Sequence, residues 1–408
     1  MRILYISQYF PPEVGATQTR AYEMATNWVR LGHKVTILTE FPNHPSGLIP
    51  ASYKGKWIEK TNWEGIDVIR VWVKASPIKN FTNRMLFYIS FMINASMVSL
   101  FRTRSKFDFV YATSPPLFVG GVALLTKYIK RIPMVFEVRD LWPESAVALG
   151  ELKNRKVISL ATQLEEKCYQ QSSQIIVVTH GIYNRLALRG ISQDKLYYVP
   201  NGSNLDLFKF DQVGRDQIRR ELGLEGKFIA IYAGIHGLAQ GLEIVLETAR
   251  LLKEEPGIYF LLVGDGPKKA EIEALAKSYQ LPNLQLLPEK PRVQIPAYLS
   301  AADVALAPLK KAEIFTGALP SKIFDAWACQ RPVILSIDGE ARELVERINA
   351  GVYIPAEDPQ KLADSIHELM NSPSKRESMG MNGRRYTAEH HSRAALAENL
   401  IDHLERTI

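Results

Sequence analysis

Lys322 and Asp325 stand in the stretch TGALPSKIFDAWACQRPV, Thr316 to Val333. A lysine brings a full positive charge. The carboxylate can accept two hydroxyl hydrogen bonds, as the 2′ and 3′ oxygens of a ribose require. Pro320 and Ser321 precede an apolar-periodic run, Ile323, Phe324, Trp327 and Ala328, which reads as a helix start. First-turn N–H groups lack intrahelical partners and, with the helix dipole, suit a phosphate. The expectation is a phosphate held by Lys322 and the backbone of Gly317, Ala318, Leu319 and Ser321, with a ribose one turn on at Asp325. A nucleoside diphosphate would lie that way. The same residues also fit an ordinary surface helix before a buried strand from Pro332 to Ser336, so the remaining chain has to decide.

A second group lies in FEVRDLWPES, where Glu137, Arg139, Asp140 and Glu144 follow an apolar strand. Active-site loops gather at that end of a parallel sheet, and Trp142 with Pro143 stiffens this one. Asp140 can take a sugar or acceptor hydroxyl, Arg139 can meet a phosphate, and Glu144 adds a third polar contact; a solvated loop would carry the same charges. Gly15, in QYFPPEVGATQTRA, leaves room for a close approach to a donor. Gly264, in GDGP, reads as a turn position beside a nucleotide. Arg292, in PEKPRVQIP, can sit under a base or simply on the surface. The sequence has no Asp-x-Asp pair and no His, Cys and carboxylate cluster at metal-ligand spacing, so no metal cofactor is expected.

These residues need elements to position them. Arg2 to Ser7, a helical pattern from Thr17 to Leu31, and Lys34 to Leu38 form a βαβ unit. Strand-like runs recur at Ile66 to Trp72, Asp108 to Thr113, Pro133 to Val138, Gln174 to Thr179 and Lys195 to Val199, alternating with helices. After Pro200 the rhythm breaks, and a second series starts at Phe228. The fold class is α/β: two Rossmann-like, doubly wound parallel-sheet domains facing across a cleft. The expected boundaries are 1–205, 206–385, and a closing segment 386–408 whose helix packs back on the first domain.

Composition sets outer bounds. The chain has 408 residues, 46% hydrophobic and 23% charged, which describes a soluble globular protein. Cys168 and Cys329 are far apart and sit in apolar helical contexts, so neither a disulfide framework nor a thiolate metal site is expected. MRILYIS enters a strand directly, without a leader pattern, and the expectation is cytoplasmic. A net charge of +7 points to an anionic partner. With no aromatic-basic stripe, nucleic acid is not that partner. Phe81 to Lys106 is apolar from Met85 to Phe101 and bracketed by Lys74, Lys79, Arg84, Arg102, Arg104 and Lys106. It can be a helix packed on the sheet, a short span, or a basic-rimmed surface resting peripherally on the inner face of an anionic membrane.

In order along the chain, VPNGSNLDLF, LLVGDGP, AYLSAADVALAPL, KIFDAWACQRPV, GEARELV and AGVYI together resemble the retaining GT-B glycosyltransferases of glycosyltransferase family 4. DLWPES, Asp140 to Ser145, is similar to the bacterial subgroup that transfers amino sugars such as N-acetyl-fucosamine in O-antigen and capsule assembly. The resemblance implies metal-independent, retaining transfer from a nucleoside-diphosphate sugar, UDP-linked, onto a lipid-linked or saccharide acceptor. The second domain would bind the donor and the first the acceptor, with Lys322, Asp140 and Gly15 in the catalytic centre. Two departures stand out. The family's paired glutamates, seven residues between them, appear as Gly317 and Asp325; its diphosphate-binding arginine and lysine appear as Ile235 and Gln240. His236 could replace the lost charge at slightly acid pH. Two other readings keep the architecture: a UDP-amino-sugar epimerase and a non-catalytic two-domain ligand-binding protein.

Overall fold

The computed structural model describes residues 1–408 apart from Val14, Pro45, Lys79, Arg102, Arg104, Ser105, Leu149, Glu151, Glu313 and Ile314. The chain divides into two compact units, Met1–Pro200 with Ala394–Ile408, and Asn201–Arg393. These divisions fall at 200/201 and 393/394, where the sequence suggested 205/206 and 385/386.

The first unit runs β1 (Arg2–Ile6), α1 (Ala16–Arg30), β2 (Lys34–Glu40), β3 (Ile58–Trp63), β4 (Ile66–Val71), α2 (Phe81–Phe101), β5 (Phe109–Ser114), α3 (Phe118–Lys130), β6 (Met134–Val138), α4 (Glu144–Ala148), α5 (Arg155–Gln171), β7 (Gln174–Val177), α6 (His180–Leu188) and β8 (Leu196–Tyr198). Its sheet has the order β3-β4-β2-β1-β5-β6-β7-β8. Seven strands are parallel, but β3 pairs antiparallel with β4, an edge that the sequence reading missed. Glu64 and Gly65 both have positive φ, 52° and 86°, as a two-residue turn of primed type demands. Asn62, Glu64 and Asp67 had hidden the hairpin inside a polar stretch.

The second unit runs α7 (Gln212–Leu222), β9 (Phe228–Ala233), α8 (Glu243–Leu251), β10 (Ile258–Val263), α9 (Lys269–Tyr279), β11 (Leu284–Leu287), α10 (Ile295–Ala301), β12 (Val304–Pro308), α11 (Ser321–Ala328), β13 (Val333–Ser336), α12 (Glu340–Ile348), β14 (Gly351–Tyr353), α13 (Pro359–Met370) and α14 (Pro373–His390), and the chain closes with α15 (Arg393–Thr407). The sheet order is β11-β10-β9-β12-β13-β14, parallel throughout. Central strands such as FIAIYA and VALAP are almost wholly buried, because helices cover both faces of a parallel sheet.

α15 belongs to the first unit. Leu396, Ala397, Leu400, Ile401 and Leu404 are buried there with Trp28, Tyr5 and Tyr111, and Trp28 Nε1 donates to the Ala397 carbonyl at 2.9 Å. An apolar stripe spaced at three and four residues gives the helix one face to bury.

Candidate functional site

The N-cap of α11, Pro320, provides no side-chain hydrogen bond, so first-turn N–H groups are left without a cap. The Lys322 ammonium lies 3.9 Å from the centroid of the Tyr232 ring and donates to Gln240 Oε1 at 3.0 Å. Among the described residues it pairs with no carboxylate. Burial without a counter-ion pulls its pKa down to about 7. The loop that carries Gln240 is tied to β9 by the Tyr232 hydroxyl, which donates to the Ile235 carbonyl at 2.6 Å. Gln240, where the resemblance implies a lysine, thus orients a lysine from α11.

Asp325 follows on the same helix. Its Oδ1 accepts from Ser203 Oγ at 2.6 Å, and Oδ2 lies 3.8 Å from Arg292 Nη1. Arg292 in turn covers the Phe208 ring at 4.7 Å. A carboxylate offers about four lone-pair sites, so Ser203 can orient it while ribose hydroxyls are accepted. What fixes the helix is its opposite face. Phe324 stacks on His391 with centroids 4.0 Å apart, and Trp327 Nε1 donates to the Ala350 carbonyl at 2.9 Å. A small cavity of about 40 Å³ lies beside β9, β12, β13, α10 and α11, and Lys322 and Asp325 are the ionisable groups in its lining.

The remaining residues of the expected donor site surround this core. Leu319 is buried, and its carbonyl accepts from Asn201 Nδ2 at 3.3 Å. The Ala318 N–H donates to the Phe315 carbonyl; Gly317 precedes it, and Ser321 opens the helix. Gly264 has φ +151°, and a Cβ there would stand 1.9 Å from the Gly234 carbonyl oxygen. Its role is to let the loops after β9 and β10 meet backbone to backbone. His236 departs from expectation. Its ring is fully buried and neither nitrogen has a hydrogen-bond partner. Burial, with Lys269 adding to it, lowers the pKa to about 4. The imidazole is therefore neutral at slightly acid pH and cannot supply the missing cation.

In the first unit, Glu137 is an internal ion-pair partner. Arg20 Nε donates to its Oε1 at 2.8 Å, as does Tyr111 Oη, and Thr113 Oγ1 donates to Oε2 at 2.5 Å. Burial would raise the carboxyl, but Arg20 first and then Arg139 hold it below its ordinary range. Asp140 accepts from Ser145 Oγ at 2.7 Å, and burial raises its pKa; one oxygen is thus already engaged with the start of α4. Glu144 pairs with Arg185 of α6, and both side chains stay well exposed. Gly15 is the N-cap of α1, but Gln18 fills the space before it, since a Cβ would lie 2.5 Å from Gln18 Oε1.

Comparison with known proteins places this geometry. Residues 15–202 match the model described as "Glycosyl transferase 4-like domain", and residues 214–386 match "Glycosyl transferases group 1". The chain is 26% identical over 382 residues to WcaI of Escherichia coli (strain K12), a protein named for a glycosyl transferase role in colanic acid biosynthesis, covering 91% of this chain and 93% of that one. Its fold is similar to sucrose-phosphate synthase from Thermosynechococcus elongatus, with a TM-score of 0.76 at 19% identity over 99% and 98% of the two chains. It is equally similar to Anabaena Alr3699/HepE, solved with UDP-glucose, at a TM-score of 0.76 and 16% identity over the whole of both chains. The chain is a glycosyltransferase of GT-B fold.

The transferase also holds residues that motif reading passed over. Ser203 and Tyr232 orient Asp325 and Lys322 from neighbouring loops and strands. At the carboxyl ends of β1, β2 and β4, Gln8 Nε2 and Asn43 Nδ2 donate to Glu40 at 2.8 Å each. Glu13 accepts the Asn43 and His44 N–H groups at 2.6 and 2.7 Å. Burial raises both carboxyls. Glu40 ends a strand with even polar and apolar neighbours, and nothing in its local spacing signals burial; the pairing of β2 with β4 creates it.

Proposed function

We propose that the transferase moves an amino sugar, with retention at the anomeric carbon, from a UDP-linked donor to a lipid-linked or saccharide acceptor in bacterial surface polysaccharide assembly. The observation that carries this reading is Lys322, a cation without a carboxylate partner among the described residues, at the first turn of the helix that presents Asp325. Diphosphate charge that develops on departure of the sugar is met by Lys322 and the uncapped N–H groups of α11, the kind of preorganised stabilisation that needs no metal. WcaI and the UDP-glucose complex of the Anabaena protein support the pathway class and the donor nucleotide. A nucleotide-sugar donor puts the reaction on the cytoplasmic side. Incubation with a panel of UDP-sugars and membrane extract should yield a lipid- or saccharide-linked product whose new bond keeps the donor's anomeric configuration by NMR, at a rate unchanged by EDTA. Conversion of the UDP-sugar without acceptor would favour an epimerase instead.

The reading extends to an anionic membrane surface at α2 and α3. Leu86, Ile89, Ile93, Met97 and Phe101 are exposed at helical spacing along α2, while Phe91, Ala95 and Val98 face inward. Leu125, Tyr128 and Ile129 continue the exposed apolar surface on α3. The helices are joined by Ser99 and Thr126, whose hydroxyls lie 2.6 Å apart. Lys74, Lys106 and Arg131 are exposed nearby and Arg84 half-buried; Lys79, Arg102 and Arg104 lie outside the described residues. α2 is long and apolar enough to cross a membrane by length and composition, but its inner face is spent on the protein core, which favours an interfacial position.

A further inference from the structure

We propose that Arg139 is an anion subsite of the first unit that takes a phosphoryl group carried by the acceptor; this rests on the transferase reading above. The guanidinium makes no hydrogen bond through any nitrogen among the described residues, and Nε and Nη1 are closed off from solvent. Its backbone is fixed, since the Arg139 N–H donates to the Ser114 carbonyl at 3.0 Å. The side chain as a whole keeps partial exposure, so a ligand can reach it.

The charges around Arg139 do not cancel it. Glu137 lies close enough to act on it electrostatically, but that carboxylate is bonded to Arg20, Tyr111 and Thr113. Arg20 and Glu137 balance each other, and Arg20 repels Arg139. Asp140, the next residue, turns to Ser145 Oγ and to the Leu141 N–H. Neither carboxylate forms an ion pair with Arg139 among the described residues. An unpaired, desolvated arginine cannot shed its proton and destabilises the fold that holds it. Such a group persists where a ligand of opposite charge is to be received. A guanidinium offers five N–H donors in a planar fork, which matches phosphoryl oxygens. Its position just past β6, at the carboxyl edge of the sheet, is where ligands bind to open α/β folds.

Calorimetry on the full chain tests this with inorganic pyrophosphate, glucuronate and UDP as separate probes. Four proteins are needed: wild type, Lys322→Gln, Arg139→Gln and the double variant. Lys322→Gln should still bind pyrophosphate, and adding Arg139→Gln should weaken that binding by about tenfold to a hundredfold, the effect of losing a charge-assisted hydrogen bond. Arg139→Gln alone should leave UDP affinity within about twofold and the melting temperature at or above wild type, because it removes a buried charge without a partner. Equal pyrophosphate affinity in Lys322→Gln and the double variant overturns the proposal. So does tighter binding of glucuronate than pyrophosphate at this site, which would make it a carboxylate subsite, or a fall in melting temperature, which would make Arg139 a structural counter-ion. Failure of wild type to bind UDP would count against the donor reading while leaving the Arg139 comparison intact.

Discussion

In the proposed reading donor chemistry turns on Lys322, whose pKa, pulled down by burial to about 7, makes it titrate within the working range. The ordinary value of a lysine is about 10.4, so between pH 7 and 10 the unfolded chain binds a proton that the folded protein lacks. This contribution to stability therefore rises with pH over that window. Donor binding runs the other way: a diphosphate prefers the ammonium. Affinity for UDP-glucose, measured by calorimetry, should be level below pH 7 and weaken by up to about tenfold per pH unit above it until the pKa of the complex is reached. Lys322→Gln should flatten that profile and cost about 2–4 kcal/mol in transition-state stabilisation. Turnover within threefold of wild type would remove the role. Asp325→Ala should weaken UDP binding by about 1.5–3 kcal/mol, and an unchanged Kd would make the carboxylate a structural group.

Among the elements, α11 is held by aromatic contacts on the face away from the site, so its position depends on packing more than on the polar groups it presents. α2 depends on packing on one side and leaves an apolar stripe on the other. Ile93→Glu with Met97→Glu should abolish flotation with anionic vesicles while leaving UDP affinity unaltered; retention of flotation would show that another surface makes the contact. α15 is the third case. Leu400 is fully buried against the first sheet, and Leu400→Ala should destabilise the first unit by about 2–5 kcal/mol, read as an earlier denaturant transition. An unchanged transition would mean that α15 adds little to that unit.

The whole molecule consists of two α/β units joined by connections at 200/201 and 393/394, each with its own sheet and core. Strand and helix alternation, the Lys322–Asp325 spacing and the apolar run of α2 were legible in the chain, because each depends on local periodicity or on residues a turn apart. The β3 hairpin was not, since its turn is marked by backbone conformation at Glu64 and Gly65 more than by residue type. Three features were decided by tertiary structure alone. Burial made His236 neutral, because the loop bearing Gly264 and Gly266 packs against it. Packing of α1 on the first sheet brought Arg20 to Glu137 across 117 positions, while the Arg139 guanidinium has no hydrogen-bonded partner among the described residues. Folding also set Lys322 against Tyr232 and Gln240, and desolvation there lowered its pKa. Local sequence determines which side chains can point the same way; which charges lose water, and which find partners, depends on distant segments meeting.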